Sequence, residues 1–423
     1  MTTQIYNRDD RGLKALWCDT PQFKTARISA HMILPLVDAK TSALRAIVPN
    51  VTSRATRAYP DYTDFGKRLQ ELYGASVHAG VSRIGDCQVL TFASSGIANR
   101  YAFGGEDVQN ALAEILESIL FEPLLDEEGL FPEDGFRQEK RQLIETIDSE
   151  FNEKRIYAKN RCTEIMFSDD AAGVPRFGTK QTLLNATRED VKNAWAEAVR
   201  HAQICQFMIG DGANGQFAER FAEKLGSRSV WNAESVYHAA PSDVKRVTEE
   251  MQLAQSKLVM GMHVGTSQEE KLAAKLMAVI FGGTPSSKLF LNVREKQSLC
   301  YYCSARHDTP KNVIFVESGV ETKNLERAEE AVLAELAAMQ RGDISDEEIL
   351  HAKLAMCNSY NAVGDSAASM ETWYLGGMLQ GDTRTPEACA KELMAITKDE
   401  IVAAANRVTL DTVYKLKGVD GNE

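Results

Sequence analysis

Histidine is scarce in this chain, and the seven present (His31, His78, His201, His238, His263, His307 and His351) include no pair at metal-ligand spacing. A zinc helix of the H-x-x-E-H kind, which needs two imidazoles one turn apart, is therefore excluded. Basic residues do not dominate either. A net charge of -12 excludes a general nucleic-acid binder, because neutralising phosphates takes clustered Lys and Arg. Long apolar runs are missing: Leu276 to Phe281 is far too short to span a bilayer, and Met1 to Lys14 is polar with no apolar leader core. The expectation is a soluble, cytoplasmic protein. The eight cysteines are mostly scattered through apolar stretches, as buried thiols are, and do not make a disulfide framework.

What remains is a chain of 423 residues, 44% of them hydrophobic, enough for about two to four folding units. The order of elements occurs twice. An alternating strand opens each half, with Ile28, Ala30, Met32 and Leu34 in one and Leu258, Met260, Met262 and Val264 in the other. A helix follows in both, at Ser42 to Val51 and behind the Ser267/Glu270 capping pair. Next come a helix and a strand pair: Phe65 to Leu72, Ser76 to Ser82 and Gln88 to Ala93, against Leu289 to Glu295, Leu299 to Arg306 and Val313 to Gly319. Amphipathic helices follow, and each half closes on a capped helix and a last strand, starting at Thr187 and at Thr397. Five matches in sequence imply a duplicated α+β fold, each copy a sheet with helices on one face. We expect domains at 1–225 and 245–423, joined by a linker at 226–244 that contains Pro241, with a cleft between the halves suited to binding.

The stretch FGGTPSSKLFLNVREKQSLCYYCSAR, Phe281 to Arg306, resembles the C-terminal half of the M16 (pitrilysin, insulinase and mitochondrial processing peptidase) family. Its Gly-Gly turn, S-x-L-F and R-E-K-x-x-L-x-Y are matched by Gly282, Gly283, Ser287, Leu289, Phe290, Arg294, Glu295, Lys296, Leu299 and Tyr301. The duplicated plan is also what that family implies. Active members carry H-x-x-E-H on the helix after the first strand, with a further glutamate on a later helix completing the metal site. Alignment on the end of the first helix puts Ala46, Pro49 and Asn50 at those positions. The later helix keeps Glu139 upstream but places Thr146 where the last ligand belongs, unless Glu145 shifts by one. None of Ala46, Pro49, Asn50 and Thr146 supplies a metal ligand or a base of the required kind.

The resemblance further implies that Arg294 and Tyr301 hold substrate carbonyls and stabilise a tetrahedral oxyanion, a task suited to a guanidinium and a phenol. The chain then reads as the non-catalytic, peptide-binding subunit of a heteromeric zinc peptidase, holding no cofactor itself. Zinc is expected in a partner carrying H-x-x-E-H, with two copies of this chain associating in isolation. The competing readings are a non-enzymatic scaffold or peptide-binding protein of the same fold, and a metallopeptidase with unusual ligands.

Several features also have plainer readings. Arg294 near a helix C-terminus meets the helix dipole favourably without any ligand. Tyr301 and Tyr302 alternate along a strand and face opposite sides of the sheet, and the motif of the resemblance implies that Tyr302 is the inward one. Cys300 and Cys303, read on the same regular strand, point to opposite faces, which argues against a redox pair or half of a zinc knuckle. Gly282 and Gly283 read as a tight helix-ending turn. His263 reads as a structural residue.

Overall fold

The computed structural model describes residues 2–8, 11–237, 241–267 and 269–419, which leaves His238 outside. Two sheets form. The first contains β1 (Thr2–Arg8), β2 (Leu13–Asp19), β3 (Thr25–Pro35), β4 (Ser76–Ile84), β5 (Cys87–Ile97) and β6 (Gln203–Gly210), in the order β1-β2-β6-β3-β5-β4. The second contains β7 (Lys245–Gln252), β8 (Ser256–His263), β9 (Cys300–Asp308), β10 (Val313–Val320) and β11 (Thr409–Val419), in the order β7-β11-β8-β10-β9.

Without β1, the two orders superimpose strand for strand. β2 runs parallel to β6 as β7 does to β11, and every other neighbour is antiparallel in both. The duplicated α+β plan is thus present, with β1 an extra edge strand paired to β2.

Local chemistry explains the helices on the core faces. Asp38 caps the helix Ala39–Arg54 through the Thr41 amide, while Thr187 with Asp190 and Thr397 with Glu400 form reciprocal capping boxes on Arg188–His201 and Lys398–Asn406. Pro49 sits inside Ala39–Arg54. A proline there forfeits an amide bond and costs roughly 3 kcal/mol. The helix continues because Ala46, Ile47, Val48 and Val51 are buried in the core of the first sheet. Leu258, Met260, Met262 and Val264 line the second core with Leu276, Ile280 and Phe281 of the helix Lys271–Gly282.

Packing divides the chain into two compact units, and they do not follow a single cut. One comprises 1–148, 174–234 and 364–382; the other comprises 149–173, 235–363 and 383–423. The helix Lys154–Met166, from the first half of the sequence, packs on β8, β10 and β11, while Ala367–Gln380, from the second half, packs on β3 and β6. The exchange is reciprocal. It explains why β3 is buried on both faces, since Ser29 and His31, opposite the apolar row, lie under Glu371. Helices are therefore not confined to one face of each sheet.

The exchanged helices are held by charge as well as apolar contact. Glu371 accepts two bonds from Arg27, at 2.7 and 3.0 Å, with others from Ser29 Oγ at 2.7 Å and His31 Nε2 at 3.1 Å. In the second unit Glu249 of β7 receives Arg161, Tyr157 and Tyr414. Gly261 of β8 lies where any Cβ would meet the Met166 sulfur, so glycine permits that helix its close approach.

Candidate functional site

The segment Leu289–Lys296 is wound as a π-helix, a geometry found frequently at functional sites. Leu289 and Val293, one turn apart and fully buried, fasten it to the second core. Gly282 lies directly against β9: an added Cβ would stand 2.4 Å from the Ala305 amide nitrogen. Neither Gly282 nor Gly283 has a positive φ, so the pair ends its helix for close packing and not for a left-handed turn. Past the π-helix, Ser298 adopts φ 51°, a strained conformation for a non-glycine residue, and returns the chain so that Leu299 is buried.

At the start of β9 the ladder to β10 slips. Gly319 pairs with Tyr302 and Val320 with Cys300, which leaves Tyr301 as the extra residue of a β-bulge. The slip turns Tyr301 outward, 61% exposed, and its carbonyl accepts a 2.8 Å bond from Arg294 Nε. The Arg294 guanidinium stacks on Phe290 at 4.5 Å and donates through Nη1 to Glu295 at 2.5 Å. Among the described residues, neither Nη2 of Arg294 nor the Tyr301 hydroxyl has a hydrogen-bond partner. Sequence reasoning finds this pair through its motif; the bulge that orients Tyr301 depends on the register of another strand.

Tyr302 is half-buried under the exchanged helix, where Arg155 lies over its ring at 4.6 Å and burial pushes its hydroxyl up to about 12. The bulge overturns the strand reading of the cysteines. Cys300 and Cys303 pack against the same core, one half-buried and the other buried.

The positions expected to hold zinc carry none of its chemistry. Ala46 and Pro49 are buried, Asn50 is half-buried, and Thr146 is exposed with its hydroxyl turned to the Gln142 carbonyl of its own helix. Glu145 does not take its place, being exposed and beside Arg141 at 3.6 Å. Glu139 is buried, but Arg54 donates to it at 3.2 Å. A guanidinium thus neutralises the one carboxylate that survives there. Among the described residues no three of His, Cys, Asp and Glu are grouped to hold a metal ion. His263 pairs with Asp411 at 2.9 Å.

Among the described residues no helix is long and apolar enough to cross a membrane. Residues 185–356 match the family model described as the peptidase M16 inactive domain. The chain is 28% identical, over 97% of its own length and of the relative's, to a protein of Bacillus subtilis (strain 168) named probable inactive metalloprotease YmfF. It is 21% identical, over 80% of its length and 82% of the relative's, to an uncharacterized zinc protease, YmxG, of the same organism. Among solved structures, a conserved protein from Enterococcus faecalis V583 aligns with a TM-score of 0.89 at 27% identity, covering 97% of this chain and 98% of that one. A peptidase M16 inactive domain from Pseudomonas fluorescens shares the fold over both full lengths, with a TM-score of 0.79 at 14% identity. Residues 185–356 thus match an M16 domain model, and the whole chain is similar in sequence and fold to proteins of that kind nearly end to end.

Proposed function

We propose that this chain is the non-catalytic, substrate-binding subunit of a cytoplasmic two-subunit zinc peptidase. It binds peptide and contributes Arg294 and Tyr301 to the active site of a partner that holds zinc through H-x-x-E-H. The observation that supports the reading is a contrast in side chains: Ala46, Pro49, Asn50 and Thr146 offer no zinc chemistry, while Arg294 Nη2 and the exposed Tyr301 hydroxyl have no hydrogen-bond partner among the described residues. Both donors are mounted on a rigid base of buried Leu289, Val293 and Leu299. Preorganised donors of this kind act on charge that develops during peptide-bond attack. The name of the Bacillus subtilis relative, a probable inactive metalloprotease, supports the non-catalytic part.

A scaffold that binds peptide without taking part in hydrolysis is the second reading. The Glu295 carboxylate favours it, because it satisfies part of the Arg294 guanidinium within the chain. Reconstitution separates the two. The chain is mixed with the H-x-x-E-H-bearing M16 protein of the same genome, and peptide cleavage is followed with and without chelator. The proposal expects chelator-sensitive cleavage by the mixture that neither protein shows alone. Equal activity of the zinc-bearing protein by itself would leave the scaffold reading.

A further inference from the structure

We propose that Cys300 and Cys303 form a redox-active thiol pair, a modification site at which a hydroperoxide is reduced and an intrachain disulfide is made. The bulge is what creates the pair. On a regular strand, residues three apart face opposite sides, but the extra residue Tyr301 pairs Cys300 with Val320 and Cys303 with Ser318, two residues apart on β10, so both cysteines turn to one side and pack against one core. Cys300 is half-buried and within reach of small oxidants, while Cys303 is buried behind it. The neighbouring Cys303, with Ser318 and the nearby Arg294 charge, offsets burial and brings the Cys300 thiol down to about 7; the Cys303 thiol is pushed up by Cys300 and by burial. Of the other six cysteines, five are buried, and Cys357 is half-buried with its thiol turned to the Ala390 carbonyl.

The chemistry balances with a hydroperoxide as oxidant. The Cys300 thiolate attacks the peroxide, the O–O bond breaks, and sulfenic acid forms as hydroxide or alkoxide leaves. The Cys303 thiol then attacks that sulfur, the S–O bond breaks, and water leaves as the S–S bond forms. Two electrons pass from the two sulfurs to the peroxide. Nothing in this step requires the peptidase reading.

Trypsin releases both thiols on one peptide, Gln297 to Arg306, which makes the test direct. The reduced protein is treated with one equivalent of hydrogen peroxide, alkylated with iodoacetamide and digested. The proposal expects that peptide to lose the mass of two hydrogens and to resist alkylation. Half-maximal alkylation of Cys300 in untreated protein should fall near pH 7. At pH 7, Cys303→Ala should slow it about fivefold, as a higher thiolate fraction is partly offset by lower intrinsic nucleophilicity. Circular dichroism reports whether the variant folds, and the pH profile of the unmodified chain stands whether or not it does. An alkylation midpoint near pH 9, or peroxide oxygens retained on Cys300 with Cys303 still alkylatable, would overturn the pair.

Discussion

Arg294 is positioned through Nε by the Tyr301 carbonyl and through its face by Phe290, so the guanidinium reaches the surface with Nη2 still able to donate. Its motif is legible in the sequence because the spacing of R-E-K-x-x-L-x-Y is local. The bulge at Tyr301 and the proximity of Cys300 to Cys303 are not, because a bulge is a property of two paired strands and its second partner, Val320, lies far along the chain. The absence of an H-x-x-E-H pattern is legible for the same local reason, with Ala46, Pro49, Asn50 and Thr146 at the positions that the resemblance implies. The Arg54–Glu139 contact joins two helices and could not be read from either. Metal analysis after dialysis should find well under one zinc per chain, with no cleavage of a peptide library; one tightly held zinc with chelator-sensitive cleavage contradicts this residue-level account.

The exchanged helices are the elements whose placement the sequence conceals. An apolar stripe shows that Lys154–Met166 and Ala367–Gln380 each pack on something, but not on which sheet. The clue at β3 was the polar alternate face, Arg27, Ser29 and His31, which needs a buried partner and finds Glu371. Burial works to raise the Glu371 carboxyl, but hydrogen bonds from His31 and Arg27 hold it down at about 2. Its stabilising contribution is therefore full above its ordinary value of 4.5 and is lost as pH falls from there through about 2. Urea denaturation should show Glu371→Ala less stable by about 3 to 5 kcal/mol at neutral pH, because it leaves the largely buried Arg27 guanidinium uncompensated and Ser29 and His31 without their partner. Glu371→Gln should lose this acid-side slope; an unchanged slope would assign it to other carboxylates. Gly282→Ala should cost about 1 to 3 kcal/mol, since its Cβ would press on the β9 backbone at Ala305. Wild-type stability in that variant would mean the helix and β9 separate without strain.

The whole molecule is a duplication in which each sheet is completed by a helix from the other half of the chain. The repeated order of elements, the capping boxes and the alternation made the duplication legible, because each element is marked by a short-range pattern. The sequence suggests a single cut at the linker 226–244, whereas the packed units also trade 149–173 and 364–382. Expressed separately, fragments 1–225 and 245–423 should each lack the helix that covers one sheet face. Each should give a broad, low-temperature melt by circular dichroism, and mixing should restore a cooperative one. Cooperative melting of both isolated fragments at the full-length temperature would contradict the exchange. The central claim, that this chain completes another chain's active site, is tested most directly by steady-state kinetics of the reconstituted pair with Arg294→Ala or Tyr301→Phe. The account predicts intact fold and assembly with turnover lowered about 100- to 1,000-fold, roughly 3 to 4 kcal/mol of transition-state stabilisation, while Tyr302→Phe retains wild-type turnover. Full turnover in both the Arg294 and Tyr301 variants would contradict it.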